Sequence, residues 1–250
     1  MSGHSKWANI KNRKEKQDAQ RGKAFTRVAR EIMVAAREGG PDPAANFRLR
    51  MAIDKAREVN MPAENIQRAI RRGAGIGDEN VNYEELQYEG YGPGGTAILL
   101  QIFTDNRNRT ASDIRHLFAK HGGNLGESGC VAWMFDQKGL LVLERDQPAL
   151  AKLSEDEVMM AALEAGAEDF SASDDAYEIT TSPQNFAAVQ QSLAETLKVK
   201  FAVAELAMIP KTTVEVGEKE SQQLARLVEV LEDHDDVQNV YTNAQVPDED

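Results

Sequence analysis

The sequence predicts an α+β protein, with a basic three-helix N-terminal domain followed by two ferredoxin-like α/β domains, the third inserted in the second. Three observations point there. The first 75 residues carry three apolar stripes of helical period. Beyond them, short aliphatic runs alternate with amphipathic helices, the pattern of layered α/β domains. The charge changes sign at the same boundary. Residues 1–75 hold 17 Lys and Arg against 8 Asp and Glu, and the other 175 hold 12 against 33, which together give the net charge of −12.

Residues 1–17 are polar and basic, with too little apolar surface for a core, so they read as an extended arm. A helix is predicted from about Ala19, with Phe25, Val28, Ala29, Ile32, Met33 and Ala36 on one face, ending at Gly39-Gly40. A second helix is expected to start with Asp42 as N-cap and Pro43 at its first position. It buries Leu49, Ala52, Ile53, Ala56 and Val59. A third runs from Pro62 to Gly73 over Ile66, Ala69 and Ile70. The Gly-rich, then acidic, segment 73–80 reads as a linker.

Strands are predicted at 96–103, 131–135 and 140–144, with a helix at 107–121 and a turn at 136–139. A helix at 154–165 opens on Ser154, with Glu157 placed for a capping box. Phe170 and residues 177–181 flank the Asp174-Asp175 turn of a hairpin. Then come a helix from Ser182-Pro183 to 197, strands at 201–209 and 212–216, a helix at 218–232 and a strand at 237–241. The segment 140–209 is thus a βαββαβ unit, and the elements around it repeat that order. The domains predicted are 1–75, then 80–137 plus 210–243, with 138–209 inserted between its halves.

The basic residues suggest a nucleic-acid partner. Lys6, Lys11, Arg13, Lys14 and Lys16 populate the arm, where Trp7 is a candidate for base stacking. Arg21 and Lys23 open the first helix, and Lys23, Arg27, Arg30 and Arg37 line one side of it beside the apolar face. Arg71 and Arg72 close the third helix. Such a density of cations neutralises phosphates and releases counterions. The competing readings are solvated helix faces and docking of the basic domain on the acidic part of the same chain. No helix-turn-helix signature marks a recognition helix, so phosphate and shape contacts are what the pattern supports.

Arg107 and Arg109, between a strand and a helix, are candidates for an anion or partner contact. The same residues read equally as exposed arginines behind a cap formed by Asp105, Asn106 or Asn108. The glycines at 73–77 and 90–95 lack the context of dinucleotide or phosphate loops, and those around Pro93 read as a tight turn with close backbone approach. The histidines His4, His116, His121 and His234 lack zinc spacing, and the one cysteine, Cys130, reads as a small core residue starting a strand. Asp233, Asp235 and Asp236 read as solvated charges at a helix end. No catalytic constellation, cofactor or metal is expected, and neither signal peptide nor membrane span is predicted, which suggests a cytoplasmic, non-enzymatic protein.

The runs Ser2-Gly3-His4-Ser5-Lys6-Trp7 with Ile10-Lys11 and Lys14, Thr104 through Thr110, and Gly122-Gly123-Asn124-Leu125-Gly126 through Ser128 and Val131-Ala132-Trp133-Met134-Phe135 resemble the YebC/PmpR family over essentially the full chain. Cys130 stands where a small residue such as Ser would be expected. The resemblance implies a three-domain protein with a helical N-terminus and a role in gene expression. Its bacterial members are described as DNA-binding transcriptional regulators. Mitochondrial relatives are translational activators, and a role on the ribosome in relieving stalled elongation is also attributed to the family. The expected partner is therefore DNA, or ribosomal RNA in the alternative reading, with a protein partner on the acidic domains and no membrane.

Overall fold

The structure is a computed structural model and describes residues 21–76 and 83–245. It is α+β, and the described residues divide into two compact units, one holding Met134–Thr213 and the other the described residues up to Trp133 and from Val214 on.

Three helices open the second of these, α1 (Arg21–Gly39), α2 (Phe47–Glu58) and α3 (Ala63–Gly73). Helix α1 packs against both others. Their predicted stripes meet in one core of Ile32, Met33, Ala36, Leu49, Ala52, Ile53, Ala56, Ile66, Ala69 and Ile70. The cap of α2 differs from the expectation. Asp42 accepts a bond from the Ala44 amide in a preceding turn, and Asn46 caps the helix. Asn46 is buried, and its amide serves three partners at once. Its oxygen accepts from Leu49 N (3.0 Å), while its nitrogen donates to the carbonyls of Ala35 (2.7 Å) and Gly40 (2.8 Å). One side chain thereby closes the end of α1 and starts α2, which the exposed Asp42 cannot do.

Gly73 sits where α3 crosses α1. A Cβ there would lie 2.2 Å from the Met33 carbonyl oxygen, so backbone would have to move. Gly73→Ala is expected to cost about 1–3 kcal/mol through overpacking. A urea midpoint that does not fall would contradict this.

The remainder of the unit is a sheet in the order β3-β1-β2-β9, covered on one face by α4 (Arg107–Lys120) and α7 (Glu218–Glu232). Its strands are β1 (Glu84–Tyr91), β2 (Ala97–Thr104), β3 (Asn124–Leu125) and β9 (Val237–Thr242). Helix α4 crosses over from β2 to β3, with β1 between those two strands, the split arrangement of a ferredoxin-like sheet. Ile98, Leu100, Ile102, Ile114, Phe118, Leu224, Leu227, Leu231 and Val237 form the core.

The elements differ from expectation in several places, the unpredicted two-residue β3 among them. Strand β1 was not predicted, yet it occupies an interior position. Residues 132–134 form a 3-10 turn rather than a strand. Only Val214–Glu215 of the 212–216 run is extended (β8), and it pairs with Ala244–Gln245 (β10) outside the main sheet. The sequence order placed a strand after the insertion in the slot that β1 fills from before β2. The β1–β2 turn contains Gly94 and Gly95, both at φ of +73°, where glycine is the favoured residue.

In the unit Met134–Thr213, the strands are β4 (Phe135–Glu144), β5 (Asp169–Ala172), β6 (Ala176–Thr181) and β7 (Val203–Pro210), in the order β5-β6-β4-β7 and antiparallel throughout. Helices α5 (Glu155–Ala165) and α6 (Phe186–Leu197) are the crossovers. Ser154 and Glu157 form the predicted capping box. The turn expected at 136–139 is absorbed into a continuous ten-residue β4, with Asp136 through Gly139 paired to β7. Helix α6 starts at Phe186, three residues beyond Pro183, after a turn in which Ser182 Oγ accepts from the Asn185 amide. No helix among the described residues is long and apolar enough to cross a membrane.

Candidate nucleic-acid interface

Of the residues marked for nucleic acid, Lys6, Trp7, Lys11, Arg13, Lys14 and Lys16 lie outside the described residues, as do the side chains of Arg21 and Lys23. The rest fall into an inner and an outer set.

The inner set is held by the protein's own carboxylates and carbonyls. Arg30 is the clearest case, with a side chain only 12% exposed. Its guanidinium lies 3.3 Å from Asp236, donates to the Asp235 carbonyl, and stacks 5.5 Å from the centroid of the Tyr83 ring. Arg37 donates to the Tyr83 carbonyl. Arg48, not singled out from the sequence, bonds Glu85 at 2.8 Å, pairs with Glu38 and covers the Phe103 ring. Half of the basic side of α1 is therefore a junction with the acidic sheet, the intramolecular docking that competed with the phosphate reading.

Asp236 is the centre of this junction and is buried rather than a solvated helix-end charge. Its Oδ2 accepts from Thr110 Oγ1 (2.7 Å), Arg109 Nη2 (3.0 Å) and Thr104 Oγ1 (3.3 Å), while Oδ1 faces Arg30. Burial pushes its carboxyl upward, but the Thr110 and Arg109 hydrogen bonds and the charges of Arg30 and Arg109 outweigh that and hold it below its ordinary value. The residues come from α1, β2, α4 and the turn before β9, so one carboxylate joins four elements.

This bears on the Thr104–Thr110 run. Asn106 caps α4 by accepting from the Arg109 amide at 3.1 Å. Arg109 faces two anions, both internal: Asp105 at 2.9 Å and Asp236 at 3.0 Å. The Asp236 and Asp105 bonds raise its pKa further. Arg107 is exposed, and its carbonyl accepts from Tyr88 Oη at 3.1 Å.

The outer set lies toward the end of α3. Arg71 is exposed and Arg72 half-buried, and Arg68 is 70% exposed beside a still more open Glu64. Such an exposed pair contributes little and leaves the guanidinium accessible to phosphate. Arg27 is half-buried on α1. Among the described residues, no group of three or more His, Cys, Asp or Glu is placed to hold a metal ion.

Residues 5–76 match the TACO1/YebC protein N-terminal domain, and residues 83–244 match the TACO1/YebC second and third domain. The chain belongs to the TACO1/YebC family. A relative from Pelotomaculum thermopropionicum, named a probable transcriptional regulatory protein, is 57% identical over 99% of this chain and 100% of its own length. One of the same name from Carboxydothermus hydrogenoformans is 54% identical over 99% and 100%. The crystal structure of a conserved hypothetical protein from Aquifex aeolicus superimposes with a TM-score of 0.83 at 45% identity, covering 93% of both chains. Within this TACO1/YebC chain, the residues that sequence reading missed are Asp236, Arg48 and the buried Glu89 described below.

Proposed function

We propose that this chain is a cytoplasmic, non-enzymatic, nucleic-acid-binding regulator of gene expression, acting through DNA as a transcriptional regulator. The observation that carries the reading is the concentration of cations at one end, 17 Lys and Arg against 8 Asp and Glu in residues 1–75 of a chain whose net charge is −12. The names of the relatives from Pelotomaculum and Carboxydothermus point the same way. The inner arginines anchor the helical domain to the sheet, and the phosphate contacts are assigned to the arm with the outer face of α3. Contacts of that kind position a nucleic acid without reading its bases.

The test is the triple charge reversal Lys11→Glu, Arg13→Glu, Lys14→Glu. Its affinity for duplex DNA in a mobility-shift assay is expected to fall at least about 100-fold at ~0.1 M salt, and the dependence of log K on log salt to become shallower by about 3. Thermal unfolding should be unchanged. Unaltered affinity for both duplex DNA and ribosomes would sink the reading. Loss of co-sedimentation with ribosomes, with no duplex binding in the parent, would replace DNA by ribosomal RNA as the target.

A further inference from the structure

Glu89 lies in the interior strand β1 and is 4% exposed. Its carboxylate accepts three backbone amides from one loop: Gly129 at 2.6 Å, Val131 at 2.7 Å and Ala132 at 2.7 Å. The Glu89 carbonyl accepts a fourth, from Gly126 at 2.8 Å. Burial pushes this carboxyl upward, and the three amides more than reverse that, so it stays charged. Gly129, at φ of +88°, turns the backbone so that these amides converge. The loop is thereby fixed to the sheet, unlike an ordinary surface connection.

The fixed loop holds out one aromatic ring, and strand β1 ends in a second. Trp133 is 66% exposed, the most open large apolar side chain among the described residues, and Tyr91 is 37% exposed. Trp133 Nε1 and Tyr91 Oη both donate to the Cys130 carbonyl, each at 3.1 Å. Their polar tips are therefore satisfied internally, and what they offer outward is ring surface. Cys130 is half-exposed in this turn, not a core residue at the start of a strand. Its thiol is pushed up by burial and by Glu89, so it is not primed as a nucleophile.

We propose that this loop is a docking surface for an arginine- or lysine-bearing segment of a protein partner, with the Trp133 ring receiving the cation. Charge decides the occupant. Between Gly122 and Trp133 the only charged residue is Glu127, which is exposed. An exposed carboxylate in the loop, with no cation of the loop beside it, repels phosphate and favours a cation, and Trp is the strongest cation–π acceptor of the aromatic side chains. An exposed, pre-ordered Trp is also the residue type on which interface affinity concentrates. The loop and Tyr91 lie outside residues 1–75, so this assignment does not depend on the nucleic-acid reading.

The test uses the full chain and a labelled nona-arginine peptide, followed by fluorescence anisotropy at ~0.15 M salt. Any polycation is drawn to an acidic chain, so the informative variant keeps the charge. Trp133→Ala is expected to weaken peptide binding about fivefold, Trp133→Phe less, and Glu127→Gln about twofold. The exposed position of Trp133 predicts unchanged thermal unfolding. Equal peptide affinity for Trp133→Ala and the parent overturns the proposal. So does a result in which Trp133→Ala loses affinity for a single-stranded oligonucleotide and not for the peptide, since the ring would then be a base-stacking platform.

Discussion

Asp236→Ala is expected to lower the stability of the fold by about 3 kcal/mol, because it leaves the nearly buried Arg30 guanidinium without its carboxylate. Arg30 carries most of this effect. Arg109 is 48% exposed and also bound to Asp105, so water and its second partner replace much of what it loses. The Thr110 and Thr104 hydroxyls lose an acceptor as well, although they retain each other at 2.8 Å. Asp236→Asn keeps an acceptor for Thr110 but removes the charge, so its loss should be smaller. Urea unfolding of both variants and of Arg30→Ala gives the measurement. A double variant of Arg30 and Asp236 should be less destabilised than the two single losses added together, since the partners are in contact. If Asp236→Ala stays within about 0.5 kcal/mol of the parent, the residue is not the centre of the junction. The pH dependence has a definite sign. The folded pKa lies below the unfolded one, so the contribution is complete above the ordinary carboxylate range and is lost as pH falls through the lowered value. Asp236→Ala should remove that part of the acid sensitivity.

The sequence disclosed best what depends on local periodicity. The stripes of α1, α2 and α3 meet in one core, with Phe25, Val28, Ala29 and Val59 partly buried against it, and the Ser154 capping box is where four consecutive residues placed it. Strand β1 escaped because its sequence, EELQYEGY, holds three glutamates and no β-branched residue. Its alternation of Leu86, Tyr88 and Gly90 against Glu85, Gln87 and Glu89 is nonetheless a period of two. The segment 131–135 is apolar enough for a strand, but its amides are drawn to Glu89, more than 40 residues earlier. Asp236 was illegible for a similar reason. Its partners stand at positions 30, 104, 109 and 110, and no spacing brings those together. The basic row on α1 was visible, yet charge pattern alone does not tell which side of a row meets solvent. Arg30 lies directly beside the apolar stripe, and that adjacency is the local signal that it faces protein.

Glu89→Ala is expected to release the 126–133 loop and to cost about 2–4 kcal/mol, since three amides lose one acceptor and Val131 is fully buried. The two ends of the loop should respond differently. Gly126 keeps its bond to the Glu89 carbonyl, so the entry stays attached while residues 129–132 come loose. Amide hydrogen exchange resolves this directly. Protection at Val131 and Ala132 should drop, while the β2 amides paired with β1 and β9 should follow only the smaller global loss. Glu89→Gln is close to Glu in size and is still expected to fail, because one of the two accepting oxygens becomes a donor pointed at donors. The same loosening should appear in the parent on acidification, once pH falls through the lowered pKa of Glu89, whereas Glu89→Ala, already loosened, should show no such pH dependence. Retained protection of Val131 in Glu89→Ala would mean that packing, not the carboxylate, fixes the loop. In that case Trp133 would be held in place by the Cys130 carbonyl and its neighbours alone.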